Sequence, residues 1–135
     1  MKVSKETYNK LLNNSIDVKQ NKYHNQKCVY KGIKFDSKKE MGEYIKLELL
    51  QESKVIHDLR LQVEFELIST FKLNDKTYRK TVYIADFTYF DKESKLHVID
   101  VKSEITRKNK VYKLKKKLMA WKYGIEIEEI WEKQV

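Results

Sequence analysis

The sequence carries an acid and a base two residues apart inside a run that is otherwise apolar. Asp100 and Lys102 stand in residues 98–103, where valine and isoleucine predict a β-strand. Residues i and i+2 of a strand share a face, so we expect both side chains to project from the same side of a sheet. The two residues therefore form either an ion pair or part of a catalytic site.

A second acid lies in the preceding β-branched and aromatic run, residues 82–90. This acid is Asp86, and residues 91–95 between the two runs have the composition of a short turn. In an antiparallel hairpin centred near Glu93, Asp86 falls opposite or nearly opposite Asp100. Two like charges that face each other across a strand pair are destabilising, so a divalent cation between them is the economical explanation.

A third acid, Glu40, belongs to a helix predicted over residues 36–52. Ser37 followed by Glu40 has the spacing of a capping box, which accounts for Glu40 without any chemistry. Glu40 also falls within the apolar arc of the helix, which directs its carboxylate toward the sheet. Glu43, one turn further on, is a weaker candidate for the same role.

The charge of the chain predicts a polyanionic partner. The formal net charge is +9, and Glu104 is the only acid between positions 101 and 122. A lysine-rich helix face is usually a solvated surface, but one that begins beside a candidate metal site favours phosphate binding. The basic residues of this stretch are Lys102, Arg107, Lys108, Lys110, Lys113, Lys115, Lys116, Lys117 and Lys122.

Length and composition predict one globular domain. The chain has 135 residues, of which 1–30 are interpreted as an N-terminal helix or arm and 31–135 as the main domain. Within the arm, residues 4–12 suit a short helix, whereas 13–27 lack periodicity and suggest a loop or mobile arm. The sequence shows no transmembrane-length apolar run and no signal peptide, so we expect a soluble, cytoplasmic protein. The single Cys28 excludes an intramolecular disulfide and any multi-cysteine zinc site.

The remaining patterns complete a mixed architecture. Residues 61–68 alternate as in a half-buried strand, and Asn74-Asp75 predicts a turn toward the strand of Asp86, which gives a β-meander. Residues 125–131 suggest a last strand. The order of helix, antiparallel strands, helix and strand predicts an α/β or α+β fold with a mixed central sheet flanked by helices.

The second helix has clear predicted ends. Asn109 can cap its first turn and Gly124 can terminate it as the C′ residue. Four apolar residues spaced three, four and three positions apart are predicted to form its buried face, with lysines on an adjacent face. These residues are Val111, Leu114, Leu118 and Trp121.

The chemistry-bearing residues resemble those of the PD-(D/E)xK nuclease superfamily. In that superfamily a helix-borne acid, a strand acid and an acid-x-lysine motif follow one another in the order of Glu40, Asp86 and Asp100-Val101-Lys102. Ala85 stands where the superfamily's name has proline. The chain further resembles the small phage-encoded DUF1064 branch from about Lys22 to Glu129. The segments that carry this closer resemblance are 22–23, 32–40, 59–63, 83–87 and 112–118.

The resemblance implies a restriction-endonuclease-like core and a role for each residue. It implies Mg²⁺ or Mn²⁺ bound by Asp86, Asp100 and the Val101 backbone carbonyl, with help from Glu40 directly or through water. Lys102 would orient or deprotonate the attacking water and stabilise the transition state. Gln62 would position water or phosphate. The residues that would bind nucleic acid are Arg107, Lys108, Lys110, Lys113, Lys116 and Lys117.

The function implied is metal-dependent cleavage of DNA, with branched recombination or replication intermediates such as Holliday junctions as the leading substrate by family analogy. Cleavage of a junction needs two sites and therefore a homodimer. Two alternatives stay open. One is a catalytically inactive nucleic-acid-binding domain in which Asp100 and Lys102 form a plain ion pair, and the other is a basic module that binds a replication or recombination protein.

Overall fold

The computed structural model describes residues 17–20, 26–103 and 108–131, and within these ranges the chain forms nine β-strands and two α-helices. In chain order they are β1 (Asp17–Gln20), β2 (Gln26–Tyr30), β3 (Ile33–Phe35), α1 (Lys38–Glu52), β4 (His57–Ile68), β5 (Phe71–Leu73), β6 (Lys76–Tyr78), β7 (Thr81–Phe90), β8 (Leu96–Lys102), α2 (Lys110–Tyr123) and β9 (Glu128–Trp131). The described helices are too short and too polar to cross a membrane.

These elements fall into two compact units. The first contains the described residues up to Leu59 together with Phe90–Lys95, and the second contains Arg60–Tyr89 and the described residues from Leu96 onward. The boundary predicted between residues 30 and 31 stays a prediction.

The first unit combines a three-stranded antiparallel sheet, ordered β1-β2-β3, with helix α1. The turn between β2 and β3 is a two-residue hairpin in which Gly32 has a positive φ of 80°, a conformation that glycine adopts without steric cost. Phe35 at the end of β3 packs against Tyr44 on α1, with their ring centroids 5.3 Å apart. Ser37 caps α1 as predicted, because its Oγ accepts the Glu40 backbone N–H at 3.1 Å.

The prediction of a loop or arm over residues 13–27 is wrong where the structure describes it. Residues 17–20 form β1 and residues 26–27 begin β2, with Asp17 paired to Val29 and Gln20 paired to Gln26. Strand pairing uses backbone hydrogen bonds, and the sequence of these segments has no alternating apolar pattern that would predict it. The helix predicted over residues 4–12 lies outside the described residues.

The second unit is built on a four-stranded sheet with the order β4-β7-β8-β9. Only residues 91–95 join β7 to β8, and so short a connection permits antiparallel neighbours alone. β8 and β9 pair in parallel, with Asp100 opposite Glu129 and Lys102 opposite Trp131. The sheet is therefore mixed, and the predicted α+β fold with a mixed central sheet is confirmed.

The predicted turn at Asn74-Asp75 joins β5 and β6 in a small hairpin. Asn74 and Asp75 have φ values of 50° and 64°. Two successive positive φ angles are typical of the type I′ turn, which matches the twist of the flanking strands and which Asn and Asp tolerate better than most residues. The predicted β-meander through this region is wrong in one respect, because β5 and β6 form a two-stranded sheet of their own and β4 pairs directly with β7.

Helix α2 begins and ends as predicted, but it buries a different face. Asn109 Oδ1 accepts the backbone N–H groups of Val111 and Tyr112, and Gly124 terminates the helix with a φ of 64°. The buried residues are Tyr112 and Met119, whereas Trp121 is 78% exposed. Apolar residues occur on nearly every side of this helix, so spacing alone did not identify the core face.

The core of the second unit lies between α2 and the sheet. It is one cluster of buried apolar side chains in which Met119 is fully buried. Leu118 is half-buried against the same cluster. The buried members are Leu67, Tyr83, Ala85, Val98, Tyr112, Met119 and Ile127. This packing fixes the position of α2 over the strand that carries Asp100 and Lys102.

Candidate active site

The structure brings Asp100 and Lys102 together as an ion pair. Lys102 Nζ lies 3.1 Å from Asp100 Oδ1, and Asp100 is only 3% exposed. Their spacing on β8 places both side chains on the face that α2 covers. A buried carboxylate needs such partners, because an uncompensated charge away from water is strongly destabilising.

A tyrosine that the sequence did not single out holds the other oxygen of Asp100. Tyr83 donates its hydroxyl hydrogen to Asp100 Oδ2 at 2.5 Å. Burial, the hydrogen bond to Asp100 and the charges of Asp100 and Asp86 raise the pKa of Tyr83 well above its ordinary value near 10. Tyr83 therefore stays a neutral donor throughout the physiological pH range.

Asp86 lies against the backbone between Asp100 and Lys102. Its Oδ2 accepts the Val101 backbone N–H at 2.8 Å. The hairpin of β7 and β8 thus places the Asp86 carboxylate beside the backbone of Val101, the residue that follows Asp100. The charges of Asp86 and Asp100 both contribute to raising the pKa values of Tyr83 and Tyr112.

Lys102 is held between the carboxylate and an aromatic ring. Its Nζ lies 4.1 Å from the centroid of the Tyr112 ring, a cation–π distance. The Tyr112 hydroxyl donates to Glu129 Oε2 at 2.8 Å, and Lys116 Nζ contacts Glu129 Oε1 at 2.7 Å. Burial, the hydrogen bond to Glu129 and the charges of Glu129, Asp100 and Asp86 raise the pKa of Tyr112.

Glu129 anchors α2 to the edge strand. Burial alone would raise its pKa, but hydrogen bonds from Lys116 and Tyr112, with the positive charges of Lys116 and Lys102, hold the pKa of Glu129 below its usual range. Glu129 therefore stays ionised and bridges β9 to α2. The alternating pattern at the end of the sequence predicted its strand but not this contact.

A pocket of about 300 Å³ opens at the ion pair. Asp100 and Lys102 contribute charge from β8, and Lys115 adds a second ammonium from α2. Tyr83 lines it as well, together with residues from the first turn of α2. A site with one carboxylate, two ammonium groups and a tyrosine hydroxyl suits an anionic substrate on which more negative charge develops during the reaction.

The remaining predicted site residues lie on α1 and β4. Glu40 lies on α1 in the first unit and is 7% exposed, and Glu43 on the same helix is buried and pairs with Lys39 at 3.4 Å. Gln62 is exposed on β4 with a φ of 51°, which is unusual for a residue other than glycine. Such strained backbone is often found at functional sites.

The predicted nucleic-acid residues concentrate on α2. Lys108, Lys110, Lys113 and Lys117 are exposed, whereas Lys116 is half-buried and paired with Glu129. Arg107 lies outside the described residues.

The available carboxylate oxygens decide which metal ion the site could bind. Within the part of the chain that the structure describes, no three or more His, Cys, Asp or Glu side chains are grouped so as to hold a metal ion. Asp86 and Asp100 offer hard carboxylate oxygens, and Mg²⁺ commonly binds through one or two carboxylates while it keeps several waters. Each carboxylate oxygen has two lone pairs, so the bonds to Tyr83 and Lys102 leave Asp100 with acceptor capacity. The chemistry of each acid is therefore of the kind that a hydrated Mg²⁺ or Mn²⁺ accepts.

Comparison with known proteins identifies the family. No curated protein and no solved structure matches the chain. One family model, described as a protein of unknown function (DUF1064), matches residues 20–134. The match covers most of the sequence, including both predicted strand acids and the lysine-rich helix, and the chain belongs to the DUF1064 family.

Proposed function

We propose that this protein is a metal-dependent DNA endonuclease that hydrolyses phosphodiester bonds. The observation that carries the proposal is the joint placement of Asp86, Asp100 and Lys102: one carboxylate contacts the Val101 backbone, and the other faces a pocket with the lysine. This is the order and spacing that the resemblance to PD-(D/E)xK nucleases implies. Within this proposal the protein acts in the cytoplasm of a bacterial host.

Asp86 and Asp100 would hold the metal, with the Val101 carbonyl as a further candidate ligand. Glu40 enters this set only as what the resemblance implies. When bound, Mg²⁺ or Mn²⁺ would neutralise the negative charge that develops on the phosphoryl oxygens. Tyr83 keeps the Asp100 carboxylate in a fixed orientation through its hydrogen bond to Oδ2. That fixed orientation lowers the cost of arranging ligands around a cation.

Lys102 would orient the attacking water and stabilise negative charge. Its ammonium is already positioned by Asp100 Oδ1 and by the Tyr112 ring, and it lines the pocket. A preorganised cation in a partly buried site stabilises developing charge more effectively than one exposed to water. Lys115, which lines the same pocket, would hold the phosphate beside the scissile bond.

The test is nicking of supercoiled plasmid with Mg²⁺ or Mn²⁺. Asp86→Asn, Asp100→Asn and Lys102→Ala should each reduce the single-turnover rate by about a hundredfold or more, as expected when a transition-state group is lost. Asp75→Asn is the matched control, because Asp75 lies in the exposed β5–β6 turn and asparagine suits its positive φ. Equal rates for Asp100→Asn and Asp75→Asn would refute the assignment.

The alternative is a catalytically inactive DNA-binding domain. The ion pair of Asp100 with Lys102 favours it, because together with Tyr83 it satisfies the buried carboxylate without a metal. Under this alternative the wild type binds DNA through α2 but does not nick plasmid with either metal. The two functions are thus separated by the wild-type protein alone.

The preferred substrate is proposed from the resemblance. Branched DNA, such as a four-way junction, is the leading candidate, and a homodimer would supply the two cuts that resolution requires. A panel of labelled linear, flapped and four-way DNAs tests this preference, and sedimentation of the protein with and without the junction tests the dimer. Equal cleavage rates on linear and four-way DNA would count against it.

A further inference from the structure

The solvent face of α2 carries a line of exposed lysines and apolar side chains. Lys110, Leu114, Lys117 and Trp121 are spaced four, three and four residues apart, which places them along one side of a helix. Leu114 is 56% exposed and Trp121 78% exposed, while the opposite side of α2 is buried through Met119. A tryptophan exposed to this extent is costly in water and suggests a ligand with a flat apolar surface.

The charge of this face identifies the kind of ligand. Helix α2 contains six lysines and no acid. Of these, Lys110, Lys113 and Lys117 form no ion pair with any acidic side chain in the described ranges, in contrast to Lys116, which binds Glu129. Unpaired lysines beside an exposed aromatic ring are complementary to a polyanion that also presents aromatic rings. A second copy of this chain would present the same positive charge and be repelled.

We propose that this outer face of α2 binds single-stranded DNA, with an unpaired base stacked on Trp121 and phosphates held by Lys117 on this face and by Lys113 beside it. The proposal rests on the proposed function in that it takes DNA as the substrate, and it names the DNA class: one with unpaired nucleotides beside the cleavage site. In a duplex the base faces are stacked on one another, so Trp121 reaches a base only where the strands have separated.

The spacing along the helix sets a lower limit on the span of the unpaired segment. Tyr112, which lines the pocket at Lys102, precedes Trp121 by nine residues. At 1.5 Å per residue this is about 13.5 Å along the helix axis, and because Tyr112 is buried whereas Trp121 is on the exposed side of α2, the segment must span at least this distance. A flap or a splayed junction arm would supply such a segment.

The experiment measures binding in EDTA, where cleavage does not interfere. Fluorescence anisotropy of labelled oligothymidylate and of a blunt-ended hairpin duplex gives two affinities for each variant. Trp121→Ala should weaken single-strand binding by about fivefold to a hundredfold, the range expected for loss of one base-stacking contact, and should change duplex affinity by less than about twofold. Trp121→Phe should keep most of the single-strand affinity, because a phenyl ring still stacks. Phe71→Ala removes another exposed ring, on β5, and controls for a general effect of losing apolar surface.

Three results would overturn the inference. Unchanged single-strand affinity in Trp121→Ala would show that no base stacks there, and an equal loss for the duplex would show general phosphate binding. Sedimentation in which Trp121→Ala converts a dimer to a monomer, with DNA affinity unchanged, would make the face a contact between copies. Plasmid nicking separates this inference from the proposed function: Trp121-dependent binding without nicking refutes only the nuclease, and nicking without Trp121 dependence refutes only the inference.

Discussion

The Asp100–Lys102 ion pair predicts an unusual order of stabilities among its mutants. The perturbation is Lys102→Met, which removes the charge and the Nζ contact with the Tyr112 ring but keeps an unbranched side chain nearly as long as lysine. Asp100 is then left almost fully buried with Tyr83 as its remaining partner. We expect this single change to be more destabilising than Asp100→Asn.

The magnitude follows from the distance and the burial. At 3.1 Å and an effective dielectric constant of about 20, the attraction is about 5 kcal/mol before the cost of desolvation. Removal of one partner of a buried pair typically costs about 3–5 kcal/mol, and the hydrogen bond from Tyr83 lowers this to about 3 kcal/mol. Asp100→Asn should cost only about 1 kcal/mol, because asparagine still accepts from Tyr83 and the flexible lysine can extend to water.

The assay is urea unfolding in EDTA, followed by far-UV circular dichroism, on both single mutants and the double mutant. Adding Asp100→Asn to Lys102→Met should raise the free energy of unfolding by about 2 kcal/mol, because it removes the uncompensated charge. Titration with Mg²⁺ then tests the metal role: the metal should stabilise Lys102→Met, where Asp100 is free to bind it, and not the double mutant. A double mutant less stable than Lys102→Met would refute the reasoning.

Three further predictions concern single residues. Glu40→Gln should leave the free energy of unfolding nearly unchanged, because glutamine also serves the capping box, yet it should abolish plasmid nicking if Glu40 is a metal ligand; full activity would move that role to Glu43. Gln62→Val should be less stable to urea than Gln62→Gly by about 1–3 kcal/mol, because a β-branched residue does not tolerate the positive φ at this position, and equal stabilities would contradict that backbone geometry. The pKa of Tyr83 is higher in the folded protein than its ordinary value near 10, so its contribution to stability is complete below that pH and is lost as pH rises beyond it. Between about pH 9 and pH 11 the free energy of unfolding should therefore fall more steeply for wild type than for Tyr83→Phe.

Local signals in the sequence predicted the parts of the fold that local physics determines. Ser37 and Asn109 cap their helices, Gly124 ends the second helix, and Asn74-Asp75 forms its turn, because each depends on a few neighbouring backbone groups. The two strands that carry the acids were likewise visible as β-branched runs. Placement of Asp86 near Asp100 followed from the length of the connection between these strands.

Contacts that depend on tertiary packing were not predictable in the same way. The hydrogen bond from Tyr83 to Asp100 depends on strand register and side-chain reach, and the anchoring of α2 by Glu129 depends on parallel pairing with a strand 26 residues beyond β8. The buried face of α2 was assigned wrongly. Trp121 is more apolar than Tyr112, yet Tyr112 is buried because its hydroxyl has a partner in Glu129 on β9. Long-range partners of this kind leave no periodic trace in the sequence.

The parallel pairing of β8 with β9 has a consequence for synthesis of the protein. Asp100 and Lys102 lie on β8. The strand that pairs with its edge, β9, and the Glu129 that anchors α2 are translated later, at Glu128–Trp131. At about 5–20 residues per second, the 29 residues from Lys102 to Trp131 take roughly 1.5–6 seconds to translate. During that interval β8 has an unpaired edge and α2 lacks its anchor, so a nascent chain carries the acids and the lysine without the arrangement that holds them. If the proposed function holds, hydrolytic activity would appear only after β9 has been translated and has paired with β8.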